Sequence, residues 1–228
     1  MSQEELLALP PPPKTWHMYR ALVGIGLLGG LLIVTVFEFT RPVIERNHAE
    51  ALRQAIFQVL PAARSSSSFR LLETGGFESA NDAASDEALV YACYDEERRL
   101  VGFAVQAQGM GYQDTIRLLY GYSHAEDAIT GIQVLESRET PGLGDKIETD
   151  ANFLANFERL DVSLVGDLSG LANLIEYVKP GMKQDPWQID GITGATISST
   201  AIADILRKSS AVWVPKIKQH LDDFMGAE

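Results

Sequence analysis

Two apolar patterns divide the sequence into one continuous hydrophobic segment and a longer region of short alternating runs. The 17 residues from Ala21 to Phe37 carry no charge. At 1.5 Å per residue, a helix of this length spans roughly 25 Å, near the thickness of a bilayer core. Trp16 and Tyr19 precede the segment, and aromatic side chains are enriched at membrane–water boundaries. We therefore predict a transmembrane anchor over residues 19–39.

A cleaved signal peptide and a buried soluble helix are the alternatives for this segment. A signal peptide needs small residues after its apolar core, whereas this core continues through Val34–Phe39. Four glycines within the segment disfavour a soluble helix and suit close packing between membrane helices. We expect a retained anchor preceded by a cytoplasmic tail, residues 1–18, in which Pro10–Pro13 favours an extended spacer.

Composition and charge narrow the function classes. The chain has 19 Lys and Arg against 31 Asp and Glu, and its net charge of −12 arises after the apolar segment. An acidic domain repels phosphate backbones, so nucleic-acid binding is disfavoured. Cys93 is the single cysteine, and the four histidines lack ligand spacing, so no metal site is predicted. Basic residues flank the anchor almost equally, so charge alone leaves its orientation open.

Beyond the anchor, the periodicity changes from helical to alternating. Apolar positions recur at helical spacing in residues 40–64, which predicts a stalk helix. Ser65–Ser68 reads as a flexible hinge, and the polar stretch that runs on to Glu87 has no interpretable pattern. The next runs predict a largely antiparallel sheet in an α+β domain over residues 65–228. These runs are Leu89–Tyr94, Leu100–Gln108, Thr115–Tyr122 and Ile129–Glu136.

Helical patterns flank this predicted sheet. Asn152–Arg159 predicts a short helix, and Leu171–Ile175 predicts another. The neighbouring run Ile175–Lys179 fits a strand as well as a helix, because periodicity does not decide between them. A final helical pattern covers Ser198–Phe224, and Pro215 is expected to divide it into two pieces.

A run of small residues before the last helix carries the candidate chemistry. Residues 190–196 read Asp-Gly-Ile-Thr-Gly-Ala-Thr. Gly194 permits backbone conformations that other residues avoid, and the hydroxyl of Thr196 is flanked by small side chains. Ser198 and Ser199 are candidate helix caps. The amide groups that begin a helix favour a phosphate, although an ordinary helix cap is the alternative interpretation.

This run matches every position of the flavinylation motif D-[GA]-x-[ST]-G-A-[ST]. The chain resembles the FMN-binding G subunit of Rnf-type electron transport complexes, and its relative, the C subunit of the sodium-pumping NADH:quinone reductase. In proteins with this motif, a flavin transferase uses FAD to place FMN on the last residue as a phosphoester. The resemblance implies Thr196 as the acceptor. It implies Asp190 and Thr193 as recognition positions for the transferase or as parts of the loop's fold, with Gly194 and Ala195 completing the cofactor-binding loop.

A second glycine-rich segment, Glu139–Gly144, resembles the loop that covers the flavin in these families. The resemblance implies cofactor contacts from Glu139, Thr140, Gly142, Leu143 and Gly144. For Glu139 the alternative is a solvated carboxylate or one that structures the loop.

The resemblance also implies a function and a location. We expect an electron-relay subunit with covalent FMN and no catalytic residues of its own, rather than a free-standing enzyme. Its partners would be the other subunits of a membrane complex and the flavin transferase. The location would be a bacterial inner membrane, crossed once, with the C-terminal domain on the periplasmic side. The equivalent subunit of the sodium-pumping reductase and a non-redox, membrane-anchored scaffold are the alternatives.

Overall fold

The chain divides into two compact units, Met1–His48 and Ala49–Glu228. A computed structural model describes residues 15–72, 75–80 and 89–225. Most of the predicted tail, with its proline run, lies outside the described residues, as does most of the polar stretch that ends at Glu87. The predicted boundaries at residues 39 and 64 remain predictions.

Helix α1 is long and apolar, as the hydrophobic segment predicted. It runs from Thr15 to Val59 and includes Pro42. Within the described part of the chain, it is the one helix with the length and composition to cross a membrane. The prediction of a long N-terminal apolar helix is therefore confirmed.

In the described residues, the second unit is built on a sheet of seven strands, and its antiparallel pairing confirms the predicted, largely antiparallel sheet. Its strand order is β2-β1-β3-β4-β5-β6-β7. The strands are β1 (Ser65–Leu71), β2 (Phe77–Ser79), β3 (Leu89–Tyr94), β4 (Leu100–Met110), β5 (Thr115–Ser123), β6 (Ala128–Glu136) and β7 (Leu160–Asp161). A separate parallel pair joins β8 (Glu176–Val178) to β9 (Gln188–Asp190).

Three short helices lie between β6 and β7, namely α2 (Lys146–Thr149), α3 (Ala151–Leu154) and a 3₁₀ helix (Ala155–Phe157). One long helix, α4 (Thr196–Gln219), follows β9, and a second 3₁₀ helix (Leu221–Phe224) comes after it. The sheet, its flanking helices and the apolar N-terminal helix together confirm the predicted α+β class.

Each face of the large sheet has its own apolar core, because successive side chains of a strand point to opposite faces. On β3, Val90 joins the core that contains the buried side of α4, whereas Tyr91 joins the smaller core around Ile56 and Val59 at the end of α1. On β5, Leu118 and Leu119 alternate between the two cores in the same way. The α4 core fixes the helix on which the candidate site begins.

The structure corrects three local predictions. Ser65–Ser68 is not a hinge but the start of β1, because its backbone pairs with the apolar strand β3, and this pairing overrides the weak strand propensity of serine. Pro215 does not divide the last helix. Pro215 is buried with Val214 and Ile217, and this packing offsets the hydrogen bond that proline removes. Leu171–Ile175 is not helical, since Leu171 forms a β-bridge and a strand follows.

Candidate functional site

The acceptor predicted from the motif lies at the first position of helix α4. Thr196 begins this 24-residue helix and is exposed. The turn before it needs a glycine, because Gly194 has φ +86°. Ala195 is the N-cap, and its side chain makes no capping hydrogen bond. The Thr196 hydroxyl is therefore presented to solvent from a turn of small residues.

The two serines predicted as caps lie inside the helix instead. Ser199 Oγ donates to the Ala195 carbonyl at 2.8 Å, and Ser198 Oγ donates to Glu139 Oε2 at 2.6 Å. Neither hydroxyl accepts from the first amides of the helix, since the helix begins earlier than Ser198. These amides have no intrahelical partner, and they lie at the positive end of the helix dipole. This end of α4 thus combines an exposed hydroxyl with donors suited to a phosphate.

Asp190 anchors the turn at its start. Its carboxylate accepts from the amides of Gly181 at 2.9 Å and Met182 at 3.2 Å. The Asn156 side chain accepts from the Asp190 amide at 3.0 Å and donates to its carbonyl at 3.2 Å. Gly191, the next residue, faces the Tyr177 ring so closely that a Cβ would lie 2.5 Å from Tyr177 Oη. The first two motif residues therefore shape the loop through contacts outside the motif.

Glu139 is buried, with 6% of its surface exposed. Its Oε1 accepts from the amides of Tyr112 at 2.8 Å and Gln113 at 3.2 Å, and its Oε2 accepts from Ser198 at 2.6 Å. The carboxylate is therefore not solvated, and its contacts match the loop-structuring role that the sequence left open. Through Ser198, it joins the second glycine-rich loop to the first turn of α4.

The rest of the second loop is more open. Thr140 Oγ1 accepts from the Gln113 side chain at 3.0 Å. Gly142 has φ +76°, and Leu143 is 51% exposed. Gly144 lies against α4, because a Cβ there would meet Ser198 Oγ at 2.8 Å. Among the hydrogen bonds of the described residues, the one that joins this loop to α4 runs from Ser198 to Glu139.

A cavity of about 640 Å³ opens beside the acceptor turn. It is lined by residues 190–193 of the motif and by Lys146, Asn156 and Lys183, among others. Burial lowers the pKa of Lys183, and the nearby Asp190 carboxylate opposes this shift. Lys183 Nζ donates to Asn156 Oδ1 at 3.2 Å. The volume lies within the range of cofactor sites, and the wall carries two lysines, Lys146 and Lys183, beside two acidic residues, Asp150 and Asp190.

Sequence reasoning missed several residues of this site. Asn156 and Lys183 belong to no motif, and nothing in their local sequence distinguishes them from surface residues. Ser198 was predicted to be a cap, and its partner Glu139 lies 59 positions away. A buried atom without a protein partner, Asp145 Oδ1, directly follows the second loop. Only the fold brings these groups to the acceptor turn.

Comparison with known proteins identifies the domain. The FMN-binding domain family matches residues 111–210, which include both glycine-rich segments. In solved structures, similar folds are NqrC from Shewanella oneidensis (TM-score 0.51, 20% identity, 75% of this chain and 85% of that one) and the C subunit of the Na⁺-translocating NADH-quinone reductase from Parabacteroides distasonis (TM-score 0.51, 19% identity, 73% and 79%). These similarities establish the fold and define the class as a protein with an FMN-binding domain.

Curated relatives narrow the class to one family. The G subunit of the ion-translocating oxidoreductase complex of Methanosarcina acetivorans is 30% identical over 188 residues, 82% of this chain and 88% of that protein. The G subunits of Haemophilus influenzae (28% over 201 residues, 87% and 90%) and Escherichia coli (27% over 191 residues, 83% and 85%) are also similar. The chain belongs to the family of G subunits of ion-translocating oxidoreductase complexes.

Proposed function

We propose that this protein is a membrane-anchored electron-relay subunit that carries FMN as a phosphoester on Thr196. The observation that carries the proposal is the exposed Thr196 hydroxyl at the first position of α4. The turn before it has the sequence of a flavinylation motif, and the helix terminus behind it favours a phosphate. A hydroxyl that served only to cap the helix would instead bond to the helix amides.

The attachment requires one bond exchange and no redox change. The Thr196 oxygen forms a bond to the FMN phosphorus of FAD, and the bond between that phosphorus and the bridging pyrophosphate oxygen breaks. AMP leaves with the bridging oxygen, and the hydroxyl proton passes to a base of the transferase. The exposure of Thr196 supports this step, since the transferase has to reach the hydroxyl.

The residues around the acceptor turn fit such a group. Thr193 lines the cavity, and its Cα lies at most roughly 11 Å from that of Thr196, three peptide units away. Lys146 and Lys183 line the cavity together with Asp150 and Asp190, and the two lysines would supply positive charge to the phosphate. Leu143 is an exposed apolar side chain available to the ring. When bound, FMN supplies transfer of one or two electrons.

The setting of the protein follows from its relatives. Their names place them in ion-translocating oxidoreductase complexes, and we infer that this chain also assembles with the other subunits of such a complex. Helix α1 would cross the inner membrane once, with the C-terminal domain on the periplasmic side. The covalent bond keeps the cofactor from dissociating, and it holds the ring at high effective concentration over its pocket.

The equivalent protein of the sodium-pumping reductase is the second candidate. Its support is the fold similarity to solved C subunits. Purified complex assayed with ferredoxin and with quinone separates the two candidates. Activity that depends on ferredoxin favours the role of a G subunit, whereas activity that depends on quinone favours the other.

Flavin fluorescence on a denaturing gel tests the attachment. The full chain is expressed with a flavin transferase, beside Thr196→Val and the control Thr200→Val, which removes a hydroxyl from the same helix outside the motif. We expect fluorescence from the wild type and its loss in Thr196→Val. The Thr200→Val control should be labelled as the wild type is. A wild-type chain without fluorescence, beside an active transferase, would support the scaffold alternative.

A further inference from the structure

Three segments of the domain meet at one buried carboxylate. Glu139 accepts from the amides of Tyr112 and Gln113 in the β4–β5 turn, and from Ser198 Oγ in the first turn of α4. Glu139 itself belongs to the loop that follows β6. Each carboxylate oxygen has a protein donor, at distances of 2.6 to 3.2 Å. The carboxylate therefore links the β4–β5 turn and the Glu139–Gly144 loop to the first turn of α4.

Two glycines leave the space that this carboxylate occupies. A Cβ on Gly111 would collide with Glu139 Oε1, and a Cβ on Gly144 would lie 2.5 Å from Glu139 Oε2. The same Gly144 Cβ would lie 2.8 Å from Ser198 Oγ. Glu139 is thus enclosed by its three donors and two glycines, which leaves little room for a ligand atom at the carboxylate.

The donors to Glu139 are two backbone amides and one hydroxyl. The hydroxyl belongs to the first turn of α4, where the helix dipole has its positive end. The bond between Ser198 and Glu139 therefore connects this turn of the helix to the Glu139–Gly144 loop.

We propose that Glu139 is a positioning residue for the acceptor Thr196 and acts through Ser198. The proposal rests on the function proposed above. Ser198 lies two residues after Thr196 in the same helical turn. The bond from Ser198 to Glu139 therefore fixes the direction of the Thr196 hydroxyl relative to the β4–β5 turn and the Glu139–Gly144 loop. A hydroxyl in a fixed direction reacts faster than a mobile one, since a displacement of about 1 Å is able to lower a rate by a factor of about 100.

The kinetics of flavin attachment test this role. The full chain in detergent is treated with flavin transferase and FAD, and the initial rate of fluorescence incorporation is measured against the concentration of the chain. Ser198→Ala removes the bond and leaves Glu139 its two amide donors, so the domain should still fold. Thr200→Ala is the matched control, because the Thr200 hydroxyl donates to the Thr196 carbonyl of the same helix and does not contact Glu139.

We expect kcat to fall about tenfold or more in Ser198→Ala, with KM for the chain unchanged, while Thr200→Ala behaves as the wild type. Glu139→Gln should lower kcat in the same direction. A Ser198→Ala chain with wild-type kcat, an effect on KM alone, or an equal loss in Thr200→Ala would overturn the positioning role. A wild-type chain that takes up no flavin would instead refute the proposed function on which this role depends.

Discussion

The stability of the domain should depend strongly on whether the side chain of residue 139 accepts the three hydrogen bonds that Glu139 accepts. Replacing Glu139 by Ala removes the acceptor from the amides of Tyr112 and Gln113, and a polar group left without a partner away from water costs about 1–3 kcal/mol. Both bonds are only part-buried, so water will partly replace the acceptor; with the loss of the Ser198 bond added, we expect a total of about 3–5 kcal/mol. Because a domain of this size loses about 2–4 °C in Tm per kcal/mol, Tm should fall by about 6–20 °C.

Glu139→Gln should cost much less than Glu139→Ala. The amide oxygen of Gln can accept from Tyr112 and Gln113, while its NH₂ group can donate to the Ser198 hydroxyl, which is able to turn and accept. The packing is kept and only the charge is lost, so we expect about 1–2 kcal/mol. The ratio between the two substitutions therefore measures how much of the stabilisation comes from the negative charge.

Thermal unfolding of the full chain in detergent checks both values. Near-UV circular dichroism is the suitable signal, because the buried tyrosines of the sheet report on the packing of the domain. The control is Glu136→Gln, an exposed carboxylate whose nearest cation is 3.7 Å away, and it should stay within about 0.5 kcal/mol of the wild type. The reasoning fails if Glu139→Ala costs less than about 1 kcal/mol, or if Gln is as destabilising as Ala.

Three further results are expected from the same protein. Gly144→Ala should lower stability by about 1–3 kcal/mol through overpacking, whereas Gly166→Ala, with open space around its Cβ, should not; chemical denaturation compares them. Burial raises the pKa of the Cys93 thiol to about 12, so iodoacetamide at about pH 8 should label Cys93 only after denaturation, and labelling of the folded chain would contradict this. Burial also lowers the pKa of His124, so the folded state binds fewer protons than the unfolded state, and stability should fall as pH drops below about 6.5. His124→Gln should reduce that slope, and equal slopes in the two proteins would refute the assignment.

Much of the fold could be predicted because its strongest signals are local. The N-terminal helix contains a continuous apolar run, and the predicted bounds of the central strands β3 to β6 lie within about two residues of the observed ones. The first strand could not be assigned in this way, because Ser65–Ser68 has neither alternation nor strand propensity. Its conformation comes from backbone pairing with β3. Similarly, α4 continues through Pro215 because that segment is buried, and this burial could not be predicted from the local sequence.

In the candidate site too, residues that are contiguous in sequence could be predicted, and residues brought together by the fold could not. Residues 190–196 are contiguous, so a motif could identify them, and the structure gives Thr196 the exposure that an acceptor needs. The role of Glu139 could not be chosen from sequence, since a carboxylate in a glycine-rich loop is usually solvated. Its partners Tyr112 and Ser198 are far from it in the chain, and the contact exists only because the β4–β5 turn and α4 meet at the same edge of the domain.

The turn before Thr196 is rich in small residues, and two carboxylates outside the Thr196 hydroxyl itself hold this part of the chain in one conformation. Glycine loses more backbone entropy on ordering than other residues, so a turn such as 191–195 is costly to hold in one conformation. Here two acidic side chains supply the order, since Asp190 fixes the start of the turn and Glu139 fixes the helix turn that follows it. Asp190 accepts from the backbone amides of Gly181 and Met182, whereas Glu139 is held by the amides of Tyr112 and Gln113 and accepts from the Ser198 hydroxyl of the helix turn. If Thr196 is the acceptor, as proposed, the motif defines the attachment position, and the geometry of that position depends on partners supplied by the β4–β5 turn and by the segment around Gly181.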